Sequence, residues 1–151
     1  MNYQQMNSQA EEMLKAESWY VAAFSNLSAL IMTTLPDLNW AGFYLVKDGG
    51  LVVGPFQGKP ACIHIAPGKG VCGTAIARNE TILVPDVHQF PGHIACDSAS
   101  ESEIVIPIHE GERILAILEI DSPVKGRFTE ADREGLEALV RIIEERISWT
   151  E

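Results

Sequence analysis

Two runs dense in Ile, Leu and Val, Ile104 to His109 and Arg113 to Asp121, lie either side of Glu110-Gly111-Glu112 and constrain the fold more than any other feature. Their composition and the turn residues between them predict an antiparallel hairpin near the centre of a sheet. A second pair, Ala41 to Val46 and Leu51 to Val53 across Lys47-Asp48-Gly49-Gly50, reads as another hairpin. Apolar spacing predicts an amphipathic helix from about Ala10 to Leu35, with Tyr20, Phe24, Leu27 and Ile31 on one stripe and Pro36 closing it. A further helix is expected over Glu130 to Ser148, where Leu136, Leu139, Val140, Ile143 and Ile147 share a face and the charge order suits the helix dipole. Helices at both ends of antiparallel strands give an α+β domain, with the terminal helices packed together on one sheet face. The stretch from Gln57 to Ser102 is rich in Gly and Pro and holds all three cysteines. It is expected to be an ordered functional loop region with a short helix near Gly73 to Arg78.

At 151 residues, without repeats or a linker-like tract, the chain is expected to form a single domain over residues 1–151. The net charge of −10 argues against nucleic acid and anionic membranes as partners. No export signal or bilayer-length apolar run is found. Three cysteines, Cys62, Cys72 and Cys96, are an odd number, so reduced thiols in the cytoplasm fit better than a structural disulfide framework.

Strand alternation puts Leu115, Ile117, Glu119 and Asp121 on one face, and Ile114, Ala116, Leu118 and Ile120 on the other. Folding the hairpin about Glu110 to Glu112 sets Glu103 opposite residue 118, 119 or 120, and a three-residue loop would pair it with Glu119. Glu103, Glu119 and Asp121 then cluster at one end of the sheet, and close carboxylates raise at least one pKa, leaving an acid protonated near neutrality. A solvated strand end is the plainer alternative. Cys96, seven residues before Glu103, can bring a thiol to the same sheet end, although a free cysteine is more often a small buried hydrophobe. Cys62, His64, Cys72, His93 and Cys96 carry zinc-preferred donors, but cysteine gaps of ten and twenty-four lack the tight pair of a structural zinc site. Gly68 to Thr74 matches a phosphate loop in composition only, and its glycines suit a tight turn and a helix start. Trp40, Phe43 and Tyr44 are core aromatics by default, with Trp40 also placed to line a pocket mouth.

Asn39-Trp40-Ala41-Gly42-Phe43-Tyr44, Phe56-Gln57-Gly58-Lys59 with Cys62, Gly68 to Ala75, His93 to Cys96, Ser102 to Val105 and Ile120-Asp121-Ser122 together resemble the free methionine-(R)-sulfoxide reductases, in order over most of the chain. The resemblance implies a GAF fold, usually dimeric. It also implies that Cys96 attacks the sulfoxide sulfur of free methionine (R)-sulfoxide and becomes a sulfenic acid, which Cys62 resolves as a disulfide, with Cys72 as an auxiliary thiol. It further implies Glu103 and Asp121 as acids for the sulfoxide oxygen, and Trp40 and Tyr44 near the substrate methyl group. No bound cofactor is implied, since a thioredoxin-like dithiol supplies the electrons. One departure stands out: family members often carry Asp-Ile-Asp-Ser where this chain has Glu119-Ile120-Asp121-Ser122. If Glu119 holds the substrate ammonium, its extra methylene would weaken KM while leaving kcat near normal. The competing expectations are a non-catalytic GAF sensor that binds a small ligand without needing its cysteines, and a redox sensor that uses the thiols without turnover.

Overall fold

The computed structural model describes residues 3–150. The chain runs α1 (Tyr3–Ala16), α2 (Tyr20–Thr34), β1 (Trp40–Lys47), β2 (Gly50–Gly58), β3 (His64–Ile65), α3 (Gly70–Arg78), β4 (Ile82–Val84), a 3₁₀ turn at Val87–Gln89, β5 (Ser102–Glu110), β6 (Arg113–Ser122) and α4 (Glu130–Arg146). The six strands form one antiparallel sheet in the order β3-β2-β1-β6-β5-β4. The two predicted hairpins thus sit side by side at its centre. In the first, Asp48 and Gly49 take φ of 53° and 81° across the Lys47–Gly50 pair. Two successive positive-φ residues are what a tight, right-twisted hairpin turn requires.

Alternation divides the core in two. Ala41, Phe43, Ile104, Ile106, Ala116, Leu118 and Ile120 face α1, α2 and α4, and Phe24 stacks on Phe43 at 3.9 Å. Trp40, Tyr44, Val105 and Ile117 face the other way, against Val71, Cys72 and Ala75 of α3. Terminal helices on one face and the loop region on the other is the arrangement expected from the sequence. The last helix begins with a capping box, Thr129 accepting from the Asp132 backbone N–H while Asp132 accepts from that of Thr129. Thr129→Ala removes one half of that exchange and is expected to cost about 1 kcal/mol in urea unfolding; an unchanged midpoint would mean that the box is idle.

Two expectations are corrected. The single helix foreseen over about Ala10 to Leu35 is two helices, because the backbone around Trp19 leaves the helical ladder to pair with the C-terminal segment. Tyr20 N–H donates to the Ser148 carbonyl at 2.9 Å, and Ser148 N–H to the Ser18 carbonyl at 2.8 Å. The register of the second hairpin also differs. Its turn has two residues, Gly111 and Glu112, which alone would set Glu103 opposite Ile120. A bulge at Leu115, between the Ile108–Ala116 and His109–Ile114 pairs, shifts the ladder by one, so Glu103 faces Asp121. Since a one-residue slip exchanges the faces of a strand, the bulge is what puts the Glu103 side chain among the other carboxylates.

Candidate active site

Register builds the site floor. Trp40, Asp121 and Glu103 are cross-strand partners in sequence on β1, β6 and β5, and the next row on the same face holds Gly42, Glu119 and Val105. Three carboxylates therefore occupy adjacent positions of one sheet face. Glycines make room for the aromatic wall beside them. A Cβ on Gly42 would lie 2.2 Å from Phe56 Cβ and 2.9 Å from Trp40 Cη2, and one on Gly58 would lie 2.6 Å from Trp40 Cδ1. The Trp40 ring lies over these bare backbones and stacks on Phe56 at 5.1 Å.

Over this floor the loop region closes a small pocket, with a cavity volume of about 30 Å³. Of the residues expected from the sequence, Trp40, Tyr44, Cys96, Glu103, Glu119 and Asp121 line it. Cys62 joins through a disulfide to Cys96, with Cα atoms 5.4 Å apart, and its carbonyl accepts from the Tyr44 hydroxyl at 2.7 Å. Cys72 lies beside the pocket on the same sheet face, buried near the start of α3, and its thiol donates to Glu119 Oε1 at 3.3 Å. The longer arm of Glu119 thus bridges the pocket and the Cys72 thiol. The loop carrying Cys96 is tied down just after it: Asp97 accepts from Ala99 N–H at 2.9 Å and from Asn39 Nδ2 at 3.0 Å, and Ser100 Oγ donates to Asp121 Oδ2 at 3.3 Å.

Electrostatically the pocket is short of positive charge. Burial, then the Asp121 charge, push the Glu103 carboxyl up to about 8. Burial likewise raises Glu119 and Asp121 well above the carboxylate range, with their neighbouring carboxylates adding to the shift. Glu103 is therefore largely protonated at pH 7, the state the sequence predicts for a clustered carboxylate. Burial also raises Cys72, so it stands as a thiol, and lowers His93. His93 Nε2 lies 3.4 Å from Glu103 Oε1. Shifts in these directions make the pair one of neutral imidazole and neutral acid near neutrality rather than an ion pair. One buried polar atom of the lining, Trp40 Nε1, lacks a protein partner and is left as a donor for a ligand, while Glu103 hydrogen-bonds with the neighbouring Glu119 and Asp121 carboxyls.

Sequence reasoning weighed His93 only as a metal donor and missed Ser100, Asn39 and Asp97. The one signal for His93 was its position three residues before Cys96. Among the described residues, the donors that gather closely enough for a metal are Cys72 with Glu103 and Glu119, and Asp86 with His88 and Glu101. The set of Cys62, His64, Cys72, His93 and Cys96 is not one of them. Gly68 and Gly70, at φ of 73° and 62°, form the turn that starts α3.

The GAF domain family model matches residues 23–148. The free methionine-R-sulfoxide reductase of Escherichia coli (strain K12) is 49% identical over 149 residues, covering 99% of this chain and 90% of that protein. Among solved structures, fRMsr of Staphylococcus aureus in its reduced form superposes with a TM-score of 0.95 at 49% identity, over 98% of this chain and 96% of that one. The free methionine-R-sulfoxide reductase from Neisseria meningitidis in complex with its substrate gives 0.92 at 40% identity, over 95% of this chain and 87% of that one. With a family match over most of its length and near-full-length relatives at this identity, the chain belongs to the free methionine-R-sulfoxide reductases of the GAF domain family.

Proposed function

We propose that this chain is an oxidoreductase that converts free L-methionine (R)-S-oxide to L-methionine with its own thiols. The observation that carries the proposal is the Cys62–Cys96 disulfide at the wall of a pocket floored by Glu103, Glu119 and Asp121. In this reading the structure is the oxidised enzyme at the end of a cycle. The Cys96 thiolate attacks the sulfoxide sulfur, the oxygen passes to Cys96 as a sulfenic acid, and methionine leaves with both electrons. Protonated Glu103, with Asp121 beside it, hydrogen-bonds the sulfoxide oxygen and supplies its proton. The Cys62 thiol then attacks the sulfenic sulfur, and its proton leaves with the sulfenic hydroxyl as water, giving the observed disulfide.

Glu119 receives the substrate ammonium, and Trp40 and Tyr44 enclose the methyl group. Cys72 is an auxiliary thiol, held protonated by burial. The cycle closes when a thioredoxin-like dithiol reduces the disulfide by exchange, so no bound cofactor is required. We place the protein in the cytoplasm as a homodimer of a single GAF-like domain spanning residues 1–151. No described helix is long and apolar enough to cross a membrane.

The deciding experiment offers the R and S epimers of free methionine sulfoxide separately, with dithiothreitol as reductant. Methionine should appear from the R epimer alone. Release from neither epimer would leave a ligand-binding GAF module as the reading of this pocket.

A further inference from the structure

We propose that the protein reductant docks on an apolar rim made by Ile63 and Ile94 and attacks the sulfur of Cys96, with Cys62 as the leaving thiolate. The proposal rests on the reading of the Cys62–Cys96 bond as the product of turnover. Among the described residues four large apolar side chains are exposed: Val21 at 37%, Ile63 at 61%, Ile94 at 40% and Val124 at 47%. Two of the four flank the disulfide, Ile63 directly after Cys62 and Ile94 two residues before Cys96. Apolar side chains left in water beside a bond that another protein must reach are the features of a docking rim.

The two cysteines are not equally open to solvent. Cys96 is exposed, between the exposed small residues Ala95, Ser98 and Ala99, whereas Cys62 is half-buried with its carbonyl fixed by Tyr44. Exchange needs a thiolate to approach along the S–S axis, and access decides which sulfur is attacked. The approach also suits an anion. Lys59 is exposed on the loop that carries Cys62, in a chain of net charge −10, and lies close enough to act on the Asp97 carboxylate.

The electrons then balance as follows. The partner's first thiolate bonds to Cys96 Sγ while the Cys62–Cys96 bond breaks, and its electron pair leaves on Cys62 Sγ, which takes up a proton. The partner's second thiolate attacks the partner sulfur of this mixed disulfide, freeing Cys96 as a thiolate. The partner departs as a disulfide, oxidised by two electrons, and the nucleophile of the next cycle is regenerated in place.

The test uses oxidised enzyme and a thioredoxin whose second active-site cysteine is replaced by Ser, which traps the mixed disulfide. Peptide mapping without reduction should find thioredoxin on Cys96. An adduct on Cys62, or none at all, overturns the assignment. In steady state, Ile63→Glu should lower kcat/KM for intact thioredoxin about tenfold, as loss of an apolar contact at an interface does, and leave dithiothreitol-supported turnover unchanged. Equal kcat/KM for variant and wild type, or an equal loss with both reductants, overturns the docking rim. Wild type that releases no methionine even with dithiothreitol would instead overturn the reductase reading itself.

Discussion

Cys96→Ser should abolish methionine release from the R epimer, by roughly 10⁴-fold or more, the scale on which losing a nucleophile acts. A serine hydroxyl stays protonated at neutral pH, and in this pocket no strong base is placed to activate it: Glu103 is held as an acid and burial lowers His93. The variant should still fold, because the fixed part of the loop lies beyond Cys96, at Asp97 and Ser100. Circular dichroism and a urea midpoint like that of the reduced wild type would establish this. Cys62→Ser provides the contrast. It keeps the attacking thiol, so it should release about one methionine per enzyme in the absence of reductant, and then stall as a sulfenic acid that dimedone captures. A Cys96→Ser enzyme that turns over with dithiothreitol, or a Cys62→Ser enzyme without that first equivalent, would remove Cys96 from the nucleophile's place.

The sheet was legible in the sequence because its signals are local. Four apolar runs, paired across two sets of turn residues, fix two hairpins, and Asp48-Gly49 supplies the positive φ the first one needs. What was not legible depends on contacts distant in sequence. The break at Trp19 carries no glycine or proline; it follows from backbone pairing with Ser148, more than a hundred residues later. The bulge at Leu115 is likewise silent, since leucine neither favours nor forbids it, yet it decides which face Glu103 occupies. Of the site, spacing reached the carboxylate cluster only through a three-residue turn, whereas a two-residue turn and the bulge build it. The aromatic wall depends on Gly42 and Gly58, whose missing side chains let Trp40 lie flat. His93, Ser100 and Asn39 act only once the loop is folded over the sheet, and no residue type announces that.

Glu103→Gln should lower the single-turnover rate of methionine release by roughly 10²- to 10⁴-fold, the range of a lost general acid, and should also change its pH dependence. In the proposed mechanism the acid form gives the proton, and burial with the Asp121 charge holds its pKa at about 8. The rate should therefore fall as pH rises through that value, while the need for the Cys96 thiolate sets the opposite limb at lower pH. An amide is isosteric and still hydrogen-bonds but has no proton to give, so the variant should be slow throughout and lack the inflection near 8. Stability supplies a second readout of the same proton. A carboxyl whose folded pKa lies above its unfolded value binds more protons when folded, so folding is favoured at low pH. That advantage is lost between the usual glutamate range and about 8. Wild type should lose stability over this window, because the unfolded carboxyl ionises while the folded one stays protonated, and Glu103→Gln should lose less. An unchanged inflection near 8 in the variant would mean that another group supplies the proton, and Asp121, the cross-strand partner, would be the next to replace.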